Sequence, residues 1–276
     1  GNFDHRINFY VNTDLQKVID SINSLVDSTV QAMQEERQIE QSKDELVTNV
    51  SHDIRTPLTS IIGYLGLLRS GNVKSDQDAK KYIEIAYIKA QQMKSLADDL
   101  FEYTTVRQQG TKLNLSEVPV NSMLEQVAAG FELEAERKGI SLNVETTPSD
   151  LTMAVDPEKM SRVFNNLISN ALKYGKDATE INLIASQVDA KTVKIKIENN
   201  GAQIPDAALK RVFERFYRVE TSRSTETGGT GLGLAITKWI VQMHQGQIAV
   251  HSDKNSTYFL ITLPKQPEIP THEENE

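Results

Sequence analysis

The sequence predicts a molecule in two structural parts: a dimeric antiparallel four-helix bundle led by a coiled-coil linker, then an α/β-sandwich domain. Three observations carry that expectation. A heptad-like apolar stripe opens the chain, two long helix-period segments then flank a short polar loop, and beyond Gly110 the pattern switches to strands alternating with helices. A chain of 276 residues, 38% hydrophobic and 25% charged, has room for two modest domains that each bury a core.

The linker, taken as residues 1–42, carries Leu15, Ile19, Ile22, Val26 and Met33 in alternating steps of four and three, with Thr29 between. Such a stripe fits either a solvated single helix or a parallel coiled coil that passes a signal to the next helix. The pattern resumes at Leu46 and Val50 and runs through Ile61, Leu65 and Leu68 to a stop at Gly71-Asn72. From Asp76 a second helix follows with Tyr82, Ile83, Ala86, Ala90, Met93, Leu96, Ala97, Leu100 and Tyr103. One hairpin has too little partner surface to cover both stripes, so residues 43–109 are expected to pair with a second copy.

Residues 110–264 read as strand to Val118-Pro119, helix over Asn121 to Lys138, strands Ser141 to Thr147 and Leu151 to Val155, and a helix from Pro157 to Tyr174. Strands Glu180 to Val188 and Thr192 to Asn199 follow, then a helix ending at His244, then strands Gln247 to His251 and Thr257 to Leu263. Helices on one face of a mixed sheet is the expected arrangement. Residues 265–276, rich in proline and acid, read as a disordered tail.

Composition excludes several function classes. A net charge of −8 argues against nucleic-acid binding, which needs a basic excess. The absence of cysteine excludes disulfides and thiolate metal sites and fits a reducing compartment. No apolar run approaches the roughly 20 residues needed to span a bilayer, and no signal peptide is present, so the chain reads as soluble. Because it opens inside what reads as a helical system, a membrane-spanning sensor segment is expected upstream of Gly1.

Chemistry concentrates first in Ser51-His52-Asp53-Ile54-Arg55-Thr56-Pro57-Leu58. On a helix His52 and Thr56 stack on one face with Asp53 beside them. A neutral imidazole can attack phosphorus while the adjacent carboxylate takes the other ring proton, and the Thr56 hydroxyl can hold a water. Pro57 cannot donate its backbone N–H and should bend the helix. An exposed histidine on a charged helix is the plain alternative for the octapeptide alone.

A second group lies in the rear half. Asn166, Asn170 and Lys173 project from one helix face, followed by Tyr174; amide oxygens are hard ligands suited to Mg²⁺, and the lysine supplies charge to phosphates. Two asparagines within a helix on one face need a reason, since asparagine is a mediocre helix former. Then come Glu198-Asn199-Asn200-Gly201-Ala202-Gln203-Ile204-Pro205, Arg211 to Arg218, and Gly228-Gly229-Thr230-Gly231-Leu232-Gly233-Leu234 immediately before a helix. Glycines allow close backbone approach, and N–H groups at that helix start are placed to bind phosphate.

The octapeptide resembles the phospho-acceptor box of bacterial sensor histidine kinases. The order of the later pieces resembles the N, G1, F and G2 boxes of their ATP-binding domain, a relative of the gyrase, heat-shock chaperone and mismatch-repair ATPases. The likeness covers about Lys43 to Pro264. It implies autophosphorylation of His52 from Mg·ATP, with Asp53 as general base and Arg55 assisting docking or phosphate contact. Transfer to an aspartate of a response-regulator receiver domain would follow, and Thr56 would serve the reverse, phosphatase reaction. It further implies Mg²⁺ at Asn170 and phosphate-side roles for Asn166, Lys173 and Tyr174. Asn199 and Gly201 would sit at the adenine, Arg215 and Arg218 near phosphate, and Gly229, Thr230, Gly231, Leu232 and Gly233 in the glycine loop, with Tyr217 to Gly228 as a lid. A homodimer at the cytoplasmic side of the bacterial membrane is implied too.

Asn166 stands where related ATPases often hold a water-activating glutamate, so hydrolysis should be slow. The family's usual G1 aspartate is Asn199 here and its second G1 glycine is Gln203, though sensor kinases with asparagine at that place occur. A neutral acceptor contributes roughly 0.5–1.5 kcal/mol against about 1.5–3 for a charged one, which predicts about tenfold weaker adenine affinity. A scaffold with a decayed nucleotide site and a plain ATPase are the two rival readings.

Overall fold

The computed structural model describes residues 13–71, 73–106, 113–219 and 231–267. Helix α1 (Thr13–Arg69) is one element of 57 residues that joins the expected linker to the first arm of the bundle, with Pro57 inside it. It ends where Gly71 takes φ +70, a value open to glycine at no steric cost. Helix α2 (Asp76–Val106) starts with a reciprocal cap: Asp78 N–H donates to Ser75 Oγ at 3.1 Å, and Ser75 Oγ donates to the Asp78 carboxylate at 2.9 Å.

The two helices pack as the expected hairpin. Val50, Ala86 and Leu96 are buried, and the Tyr64 and Tyr82 rings lie 5.4 Å apart. The stripe is covered only in part within one chain, because Leu65 and Ile83 remain 50% and 55% exposed and Leu58, Ile62, Tyr87 and Ile88 are also at the surface. In the linker, Ile19 is buried while Val18, Ile22 and Leu25 face out.

The second part contains β1 (Ser116–Pro119), α3 (Val120–Ala129), α4 (Glu132–Arg137), β2 (Ser141–Thr147) and β3 (Thr152–Val155). It continues with α5 (Pro157–Tyr174), β4 (Glu180–Gln187), β5 (Thr192–Asn199), α6 (Asp206–Leu209), α7 (Gly233–Met243), β6 (Gln247–Ser252) and β7 (Thr257–Pro264). The five-stranded sheet has the order β2-β4-β5-β7-β6, with only β2 and β4 parallel. β1 and β3 form a separate antiparallel pair.

Alternation decides the core. Ile181, Leu183 and Ala185 of β4, Val193, Ile195 and Ile197 of β5, and Phe259, Ile261 and Leu263 of β7 are buried on one sheet face. Against them lie Met160, Val163, Phe164, Leu167 and Ile168 of α5 and Ile236, Ile240 and Val241 of α7, at helical spacing. Each such side chain contributes about 1.5–3 kcal/mol.

The longest departure from the sequence expectation is a helix. The helix expected over residues 121–138 is two, since Gly130 and Phe131 turn back onto the carbonyls of Val127 and Ala128 at 3.1 and 2.9 Å. Glycine weakens the helix there, and Phe131 gains by packing on the core. At the other end Lys265 is still tied in, donating to Lys191 O at 2.7 Å and accepting from Ala154 N–H at 2.9 Å. Of the tail expected over 265–276, residues 265–267 are described and 268–276 lie outside the described residues. The two parts meet where Arg162 of α5 pairs with Asp99 of α2 at 2.8 Å, their side chains 29% and 13% exposed.

Candidate functional site

Helix α5 builds the first wall. The Asp156 carboxylate caps it, accepting from Lys159 N–H at 3.1 Å, and Pro157 fills the first turn, where no N–H is needed. The other carboxylate oxygen accepts from Asn114 N–H at 3.0 Å, and the Asp156 N–H donates to His244 Nε2 at 3.0 Å. Burial of the apolar face leaves Asn166, Asn170 and Tyr174, each four residues from the next, on a single flank. Lys173 is exposed beside them.

Asn166 is already engaged. Its amide donates to Gly233 O at 3.2 Å and to the buried Thr237 hydroxyl at 3.4 Å, which fixes the start of α7 against the middle of α5. Asn170 is half-buried and makes no side-chain hydrogen bond to the described residues, so its amide oxygen remains available. That single hard oxygen fits Mg²⁺, which keeps several waters and shares ligation with phosphates. Among the described residues no cluster of His, Asp or Glu offers an alternative metal cage.

The far end is formed by β5. Asn199 is 6% exposed, and its neighbour Asn200 anchors the turn by accepting from Thr179 N–H at 2.9 Å and Glu180 N–H at 3.2 Å. Gly201 lies against the end of α5 so closely that a Cβ there would come 2.7 Å from the Gly175 backbone. Gln203 is exposed, and Ile204 N–H donates to Ser252 Oγ at 2.8 Å, so the loop is held without a second glycine at position 203.

The third wall is the start of α7 and the segment before the expected lid. Phe216 (φ +58) donates its N–H to Gly231 O at 2.9 Å, and of the expected lid, Tyr217 to Gly228, residues 220–228 lie outside the described residues. Gly231 takes φ +68, and a Cβ there would lie 2.7 Å from Phe216 Cα, so both conformation and space demand glycine. Leu232 points its side chain into the core, leaving its backbone to the site, and α7 begins at Gly233. Arg218 lies near Tyr174: burial raises the phenol pKa, and the guanidinium partly offsets that. Arg215 is exposed. Gly229 and Thr230 lie outside the described residues.

On α1, Asp53 is half-buried and Arg55 and Thr56 are exposed, successive along one helix; the His52 side chain lies outside the described residues. Sequence reasoning missed Gly175, Thr237, Asp156 and His244. The Asp156-Pro157 pair signals a helix start and could have revealed the cap. Nothing local marks His244, whose partner is remote in sequence.

Residues 155–267 match the family of histidine kinase-, DNA gyrase B- and HSP90-like ATPases, 42–109 match the histidine kinase A phospho-acceptor domain, and 1–34 match the HAMP domain of fungal histidine kinases. The sensor protein VanS of Enterococcus faecium is 38% identical over 97% of this chain and 68% of its own length. The sensor protein kinase WalK of Staphylococcus saprophyticus is 33% identical over 83% of this chain and 38% of its own. In fold, the histidine kinase ThkA, solved in complex with the response regulator TrrA, superposes with TM-score 0.66 at 24% identity, over 86% of this chain and 66% of that one. The chain belongs to the sensor histidine kinases of two-component systems, and its rear half is their ATP-binding domain.

Proposed function

We propose that the enzyme autophosphorylates His52 from Mg·ATP and passes the phosphoryl group to an aspartate of a response-regulator receiver domain. The observation that carries this is the single flank of α5. It begins at Asn166, fixed to the start of α7, and ends at the Gly175–Gly201 contact beside Asn199, a run of about 14 Å at ~1.5 Å per residue. A nucleoside triphosphate lies along it with its base at Asn199 and Gly201 and its phosphates at the N–H groups of Gly231, Leu232 and Gly233. Asn170 would hold Mg²⁺, which neutralises phosphate charge, while Lys173, Arg215 and Arg218 supply further positive charge and Tyr174 packs beside them.

In the reaction a His52 ring nitrogen bonds to the terminal phosphorus, the bond to the bridging oxygen breaks, ADP leaves, and the other ring N–H gives its proton to Asp53. Positioning and charge neutralisation supply most of the rate, since Asn166 offers no carboxylate to activate water. Arg55 contacts the phosphoryl group or the docked regulator, and Thr56 holds the water that hydrolyses the regulator's phospho-aspartate. Exposed apolar residues on α1 and α2 support a homodimer. Domain boundaries at 42/43, 109/110 and 264/265 belong to the same reading, as does a place at the cytoplasmic face of a bacterial membrane.

Incubation with γ-labelled ATP tests it. An acid-labile, base-stable label that disappears in His52→Gln is expected; free phosphate with no protein label would mean an ATPase, and neither would mean a scaffold. Thr56→Ala should keep the label and lose regulator dephosphorylation. Retention of both activities would remove the role given to Thr56.

A further inference from the structure

The base end of the site holds an amide where an acceptor alone would select adenine. Asn199 is 6% exposed, its backbone is held on both sides by β4 (Ile181) and β7 (Thr257), and its side chain makes no hydrogen bond to the described residues. The amide nitrogen lies 2.8 Å from where a Gly175 Cβ would stand and 3.0 Å from that of Gly201, and neither glycine has a side chain to fix which way the amide faces. An amide edge with no partner among the described residues is open to a ligand edge that offers it both a donor and an acceptor.

An amide carries an acceptor and two donors, whereas a carboxylate only accepts. Facing one way, Oδ1 accepts from the adenine amino group while Nδ2 donates to the adjacent ring nitrogen. Turned by half a rotation about Cβ–Cγ, Nδ2 donates to the carbonyl of an oxopurine while Oδ1 accepts from its ring N–H. A carboxylate makes only the amino-group half of the first pairing, and in the second it accepts from the ring N–H but sets its other oxygen against the carbonyl. We propose that Asn199 makes this site accept oxopurine nucleoside triphosphates, of the inosine and guanosine class, alongside ATP. This rests on the nucleotide-site reading given above.

The test uses the whole chain with Mg²⁺ and follows displacement of a fluorescent trinitrophenyl ATP by ATP or by inosine triphosphate, which differs from ATP only at the edge Asn199 reads. The expected result is that the inosine nucleotide competes within about tenfold of ATP, and that the isosteric Asn199→Asp variant tightens ATP and weakens the inosine nucleotide by on the order of a hundredfold. If ATP displaces the probe and the inosine nucleotide is excluded equally by both proteins, the proposal is overturned while the site stands. If neither nucleotide displaces it and the probe itself fails to bind, the nucleotide site falls and the proposal with it. Thermal melting with each nucleotide gives a second readout that separates an unfolded variant from one with altered selectivity.

Discussion

His244 accepts the Asp156 N–H at Nε2 and donates from Nδ1 to Ile240 O at 2.8 Å, so the neutral ring is the form that fits. Burial pushes its pKa below the usual histidine value, offset in part by the Ile240 carbonyl and the Asp156 carboxylate. With the folded pKa below the unfolded value of about 6.5, stability is fully present above that pH. It is lost as pH falls toward the folded pKa, because the unfolded chain then binds more protons. Trp239, the only tryptophan, lies on α7, which His244 follows directly, so denaturation followed by its fluorescence should show stability falling below about pH 6.5. His244→Leu should flatten that dependence. Asn170 and Asn166 should separate cleanly as well. Asn170→Ala, which breaks no hydrogen bond to the described residues, should cut autophosphorylation by on the order of a hundredfold at an unchanged melting point, whereas Asn166→Ala should cost about 0.5–1.5 kcal/mol of stability by releasing Gly233 and Thr237.

Among the elements, α5 and β5 were legible to the residue, because a proline start, a strict apolar face and clean alternation are local signals. The α3–α4 break, the short α6 and the β1–β3 pair were not, and the last depends on what a remote segment offers, where Ser116 to Pro119 meet Thr152 to Val155. The joint between the end of α5 and the loop after β5 is of the same kind, a glycine-to-glycine contact across the fold. Adding one methyl by Gly201→Ala puts that carbon 2.7 Å from the Gly175 backbone, and the expected cost is about 1–3 kcal/mol together with loss of probe-nucleotide binding. Equilibrium denaturation alongside the displacement assay measures both.

For the whole molecule, the helical hairpin leaves Ile62 63% and Tyr87 59% exposed, more apolar surface than one chain covers. Ile62→Glu with Tyr87→Glu should convert the expected dimer to monomer in analytical ultracentrifugation; an unchanged mass would remove these residues from the interface. The Asp99–Arg162 pair joins the two parts at a partly buried spot beside a cleft lined by Lys94, Asp98, Phe101, Glu158, Lys159 and Asn166. Arg162→Gln should speed amide exchange in the C-terminal half of α2 by on the order of tenfold, read by mass spectrometry.

The sequence by itself determined the two-part architecture, the order of the chemical motifs and nearly every helix and strand, because periodicity, caps and glycine loops are written within a few residues. Only the tertiary structure decided that Asn166 fastens α7, that Gly175 and Gly201 flank the Asn199 amide, that His244 supports the start of α5, and that α2 is pinned to α5. Those are contacts between segments far apart in the chain, and they arise when burial of the apolar faces brings polar groups together that then have to satisfy one another.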